Sequence, residues 1–151
     1  MANKDYSVAL VVDASAKEVF RDINNVTKWW TEEFYGNSNK LNDEFTVHFG
    51  DVHVSTQKLI EFVPEKKLVW LVTKSRLNFI RDMQEWNNTK ISFELSEEGE
   101  QTQVKFTHHG LVPEVECYKD CSKGWDYYIK GSLFKLLTTG KGKPEKKLQL
   151  K

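Results

Sequence analysis

The chain has 151 residues, 39% of them hydrophobic, with nine Phe, five Trp and five Tyr, and its 22 basic side chains balance 22 acidic ones. That length suits one domain of ordinary size, able to bury a core without a disulfide or metal staple. The aromatic content excludes disorder, the lack of any apolar run near ~20 residues excludes a helical membrane span, and the zero net charge argues against a dedicated nucleic-acid binder.

The zero is an average. Lys135, Lys141, Lys143, Lys146, Lys147 and Lys151 stand against a single acid, Glu145, in the last stretch, while the first 134 residues hold 16 bases and 21 acids. A basic end on an acidic body reads either as a solubilising tail or as a contact for a phosphate or a partner. The start, Met1-Ala2-Asn3-Lys4-Asp5, has no apolar segment of the signal-peptide kind. With only Cys117 and Cys121 present, a cytoplasmic protein with reduced thiols is the expectation.

In chain order, Val8, Leu10 and Val12 alternate as in a strand. Ser15 and Glu18 have capping-box spacing, and Val19, Phe20 and Ile23 follow at helical spacing, which predicts a short helix over 15–22. The stretch 26–34, with Trp29-Trp30, reads as a second short helix or an aromatic loop. Strands follow at 45–49, after Gly50 up to Pro64, at 68–72, 91–95 and 104–108, and their spacing implies antiparallel hairpins. The stretch 75–88 has no clear period and reads as a long loop or irregular strand. From 114 to 139 the helical spacing of Tyr118, Cys121, Trp125, Ile129, Ser132, Leu133, Leu136 and Leu137 predicts one long helix, capped by Gly140. Gly124 and Gly131 inside it, each costing about 1 kcal/mol relative to Ala, suggest close packing or a kink.

Few side chains form a chemical motif. His108 and His109 point to opposite faces of a strand, and His108 shares parity with Val104 and Phe106. It is either a core histidine or a group that fixes a ligand oxygen. His48 and His53 flank a turn without a third metal ligand. Cys117 and Cys121 lie on one helical face, as packed thiols rather than a zinc or redox pair. No nucleophile elbow, phosphate loop or dinucleotide fingerprint occurs, and no acid pair is marked as catalytic. No cofactor and no metal are specified.

Four stretches in order resemble a known family: Ala14 to Phe20 with Lys28-Trp29-Trp30; Val63-Pro64-Glu65 to Trp70; Thr102 to Leu111; and Gly124-Trp125 with Ser132-Leu133-Phe134-Lys135 and Thr139 to Pro144. They are similar to the family related to the activator of Hsp90 ATPase, within the START/Bet v 1-like superfamily. The resemblance implies an α+β helix-grip fold, a curved antiparallel β-sheet wrapped around a long C-terminal helix, with two short helices after the first strand. It covers 1–144 as a single domain and leaves 145–151 as a basic C-terminal tail. Leu111 and Thr138 stand where the family often has Phe and Glu, and its Gly-rich middle strand is reduced to Gly50.

In this fold, sheet and helix enclose a cavity. Strand parity gives Val47, Phe49, Ile60, Phe62, Trp70, Val72, Ile91, Phe93, Val104 and Phe106 as inward. Phe49, Phe62, Trp70, Phe93, Phe106, His108, Tyr118, Trp125, Tyr128 and Ser132 form the expected ligand-binding set, with Tyr128, His108, Ser132 and Arg81 as polar anchors. The expected function is non-catalytic binding of a small hydrophobic molecule, lipid- or polyketide-like. The alternatives implied by the family are an Hsp90 cochaperone-like activator of ATPase and a polyketide cyclase/aromatase-like enzyme. The expected partners are that small molecule and, for the cochaperone reading, an Hsp90-type chaperone, with no nucleic acid, no membrane span, and a monomer or homodimer.

Overall fold

The computed structural model describes residues 5–50 and 52–146. β1 (Tyr6–Val12) leads into α1 (Ala16–Asn24), whose first turn is capped by Ser15 Oγ accepting from Glu18 N at 3.2 Å. A single 3-10 turn at Val26–Lys28 and an aromatic loop carry Trp29 and Trp30 into the core. Then come β2 (Phe34–Gly36), β3 (Glu44–Phe49), β4 (His53–Val63), β5 (Lys67–Leu77), β6 (Lys90–Glu98) and β7 (Gln101–His109). All neighbours are antiparallel, in the order β1-β7-β6-β5-β4-β3-β2. Only β1 departs from a plain meander: it pairs with β7, Tyr6 opposite His108, so the first strand closes beside the last.

The C-terminal helix is continuous from Tyr118 to Thr139 but not uniform. It comprises α2 (Tyr118–Trp125), a π-helical stretch (Asp126–Leu133) and α3 (Phe134–Thr139). The buried residues Cys121, Trp125, Ile129, Leu133 and Leu137 recur every fourth position. In a 3.6-residue helix each such step drifts by about 40°, enough to carry the last of them off the sheet. The wider π turn, with its i→i+5 ladder, lets one face hold the whole series. An added Cβ at Gly124 or Gly131 would meet nothing within 4 Å, so close packing does not account for these glycines. Gly140 ends the helix at φ 86°, its N–H bonded to Leu136 O at 2.9 Å. Among the described residues no helix is long and apolar enough to cross a membrane.

This is the helix-grip fold, and two local expectations change within it. The inward residues of β4 are His53, Ser55, Gln57 and Leu59. Ile60 falls where Leu59 pairs with Trp70 and Glu61 with Val69, so it is a bulge residue without a partner on β5 and not part of the inward set. The second correction concerns the thiols: Cys117 and Cys121 are joined in a disulfide, their Cα atoms 5.5 Å apart. The one-turn spacing that puts both on one face also brings the sulfurs within bonding reach.

After Gly140 the chain turns back across the helix. Lys143 N donates to Ser132 Oγ (2.7 Å), Glu145 N to Trp30 O (2.9 Å) and Glu32 N to Glu145 O (2.8 Å). Gly142 passes against Lys28 O and Ser132 O with no room for a Cβ. Residues 147–151 of the expected tail lie outside the described residues.

Candidate functional site

The interior between helix and sheet is occupied by aromatic rings. All five tryptophans form one continuous stack. Trp30 lies near-parallel to Trp29, Trp70 and Trp125, with centroids 6.0, 5.7 and 5.1 Å away, and Trp125 lies near-parallel to Trp86 at 5.7 Å. Phe93 and Phe106 meet Trp70 and Trp125 behind them. Such rings bury ~150–250 Å² each, so most of the volume that a larger ligand would use is already filled.

A recess of about 160 Å³ remains at one end, where the turn between β3 and β4 meets α2 and the loop 78–89. The sheet supplies Phe49 and His53, the loop Phe79 and Trp86, and the helix Cys121, Gly124, Trp125 and Tyr128. Trp30 also lines it, and Asp120 contributes an exposed carboxylate. A cavity of about 150 Å³ accommodates a benzene-sized molecule, whereas drug-sized ligands occupy about 300–1,000 Å³.

Both buried histidines near this recess are neutral. His108 is fully buried, and burial, with the neighbouring His109 second, brings its pKa down to about 3. Trp125 Nε1 donates to its Nδ1 at 3.0 Å. An indole N–H only donates, so the proton sits on Nε2, which donates to Thr89 Oγ1 at 2.9 Å. Thr89 Oγ1 in turn donates to Trp86 O. Both ring nitrogens are thus committed to protein partners. His53 is brought to about 3 by burial and then by His48, and its Nε2 meets Ser55 Oγ at 2.8 Å. Deeper in the interior, Gln57 Oε1 and Trp70 Nε1 have no hydrogen-bond partner among the described residues.

The loop over the recess is lashed to the start of α2 by two reciprocal carboxylates. Glu85 accepts from Glu116 N (2.9 Å) and Cys117 N (2.7 Å), satisfying donors that a helix start leaves free. Glu116 accepts from Arg81 N (3.0 Å) and Asp82 N (3.2 Å), and these bonds hold its carboxyl below the usual range. Trp86 Nε1 points at Cys117 Sγ, 3.4 Å away. No group of three or more His, Cys, Asp or Glu is placed to hold a metal ion among the described residues.

A sequence model of the family described as "Activator of Hsp90 ATPase homolog 1-like protein" matches residues 13–138. The chain belongs to this family. Among solved structures, the Aha1 dimer of Colwellia psychrerythraea superposes with TM-score 0.74 at 23% identity, over 91% of this chain and 98% of that one. A conserved protein of unknown function from Enterococcus faecalis gives 0.65 at 19%, over 99% and 80%. A putative protein from the dynemicin biosynthetic locus gives 0.67 at 16%, over 97% of this chain and 52% of that one. These identities establish the shared fold alone. No curated protein sequence matches the chain.

Within this Aha1-like fold the ten residues of the expected ligand-binding set separate. Phe49, Trp125 and Tyr128 line the recess. Trp70, Phe93, Phe106 and His108 stand behind it in the packed interior. Phe62 lies half-buried with its ring 5.1 Å from Phe20 of α1. Tyr118 is half-buried outside the recess wall. Ser132 is buried and donates to Trp29 O at 2.6 Å while accepting from Lys143 N. Arg81 sits in the lashed loop, with its backbone N–H on Glu116. Sequence reasoning missed Trp30, His53, Phe79 and Trp86 as wall residues. Three come from segments without a clear period, and His53 stands out in the sequence only as a turn-flanking partner of His48. The parity of His53 is opposite to that of Ile60 and Phe62, the β4 residues expected to face inward, and the bulge at Ile60 reverses that relation.

Proposed function

We propose that this domain is a non-catalytic binding module whose aromatic recess accepts one ring, or one chain end, of a small hydrophobic molecule. The observation that carries the reading is a recess of about 160 Å³ walled by Trp30, Phe49, Phe79, Trp86, Trp125 and Tyr128. A lipid- or polyketide-like ligand would insert a terminal ring there and leave its remainder at the mouth. Binding rests on desolvation of that ring, with the Tyr128 hydroxyl as a polar group for orientation. A cyclase-like reaction is less favoured, because His108 stands behind the recess with both ring nitrogens committed to Trp125 and Thr89.

The test is a thermal-shift titration with indole, p-cresol and naphthalene, on wild type and on Gly124→Leu. Binding stabilises by about 2.7 kcal/mol at a hundredfold excess over Kd. The added side chain enters open space beside the recess, so the variant should fold and lose the shift. A shift retained in Gly124→Leu, or no shift in wild type, rejects the reading.

A second reading is a chaperone contact in the cytoplasm that stimulates an Hsp90-type ATPase. It is favoured by family membership and by the near full-length match to the Colwellia Aha1 dimer. An ATPase assay with the cognate chaperone decides it, and light scattering decides between monomer and homodimer. Unchanged ATPase rate at saturating domain concentration removes this reading.

A further inference from the structure

A second concavity lies on the other side of Tyr128. It measures about 550 Å³ and separates the outer side of the π-helical stretch from the closing segment 141–146. Lys135, Lys141 and Lys143 line it, and none of the three has an ion-pair partner among the described residues. Lys146 is committed to Glu32 at 3.2 Å, and Glu145 is the single acid on the wall. We propose that this crevice is a docking site for an acidic, apolar-bearing segment of a partner protein, independent of what fills the aromatic recess.

Two observations converge. The lysines do not ride on a free tail. Their backbone is fixed by Lys143 N on Ser132 Oγ, by the Thr31–Glu145 bridge and by the close passage of Gly142. Charge is therefore presented in a set geometry, although the body of the chain is acidic. Next to the ammonium groups, Tyr127 is 54% exposed and its ring packs edge-on to Tyr128, with centroids 4.9 Å apart. An exposed tyrosine beside unpaired cations suits an acidic segment that also carries apolar side chains: the ring anchors, and the charges steer and select. A bare phosphate would engage the lysines and leave the exposed Tyr127 ring unused, whereas an acidic, apolar-bearing segment engages both.

The test is fluorescence anisotropy with a fluorescein-labelled peptide of alternating Glu and Leu. Wild type should bind with an affinity that falls as salt rises. The variant K135Q/K141Q/K143Q should bind about tenfold more weakly, as expected for loss of three exposed charge contacts. Tyr127→Ser should weaken binding without changing the salt dependence. The control K17Q/K40Q/K105Q alters three exposed lysines elsewhere and should leave binding intact. Equal losses in the two triple variants would reduce the effect to net charge and overturn the proposal. So would displacement of the peptide by inorganic pyrophosphate at matching concentrations, a doubled mass in light scattering that depends on these lysines, or no binding by wild type.

Discussion

Trp125 on the helix gives its indole proton to Nδ1 of His108 on β7, 3.0 Å away, both side chains being almost completely buried. That bond fixes the tautomer of His108 and makes a polar candidate of the sequence part of the packed interior behind the recess. It also distinguishes Trp125 from Trp70, whose Nε1 has no partner among the described residues.

The contrast is measurable. Trp125→Phe and Trp70→Phe remove the same atoms from buried sites, but only the first orphans a buried acceptor. Trp125→Phe should be the more destabilising by about 1–3 kcal/mol in urea denaturation. Equal losses would mean that the bond contributes nothing net.

The buried histidines predict a pH dependence with a defined sign. His53 and His108 titrate near 3 when folded, against 6.5 for the free side chain. Between those values the unfolded chain binds more protons, so stability rises with pH, is complete above about 6.5, and is lost as pH falls toward 3. Each histidine contributes a slope of up to about 1.4 kcal/mol per pH unit. His108→Gln should remove close to one proton from the slope between pH 6 and pH 4.5, whatever its absolute stability. An unchanged slope would show that His108 is protonated in the folded state.

The Cys117–Cys121 disulfide closes a short loop, so its reduction should cost at most about 2 kcal/mol. Intact mass after alkylation is the direct check. No label should enter the unreduced folded protein, and two labels should enter after dithiothreitol. Two labels without reductant would show that the thiols are free.

Glu85 and Glu116 hold the recess loop from opposite directions. Glu85→Ala should raise hydrogen exchange both in 78–88 and at 116–118, while β6 and β7 keep their protection. Faster exchange confined to the helix start would mean that the lash does not order the loop.

Six of the seven strands, the first helix and the long C-terminal one could be read from alternation, helical spacing and the Ser15–Glu18 cap, because those signals are local; the three-residue β2 is too short to show a period. The every-fourth-residue series from Cys121 to Leu137 is also visible in the sequence, and by spacing alone it matches an ordinary helix. Its drift shows only when the faces are tracked over several turns. The β4 bulge at Ile60 could not be read, since a one-residue slip is set by pairing with β5 and leaves no mark in composition. The recess was hidden for a related reason. Trp30, Phe79 and Trp86 reach it from irregular segments whose placement depends on tertiary contacts, among them Glu85 and Glu116.

The tryptophan stack has an optical consequence. Five indoles in near-parallel contact, contributed by a loop, a strand, a second loop and the helix, are electronically coupled chromophores. The near-ultraviolet circular dichroism of the domain is then a property of the assembled stack, which the seated helix joins through Trp125, rather than of any one residue. Unseating the helix while the strands persist would remove the two contacts of Trp125, weaken that signal and spare the far-ultraviolet one.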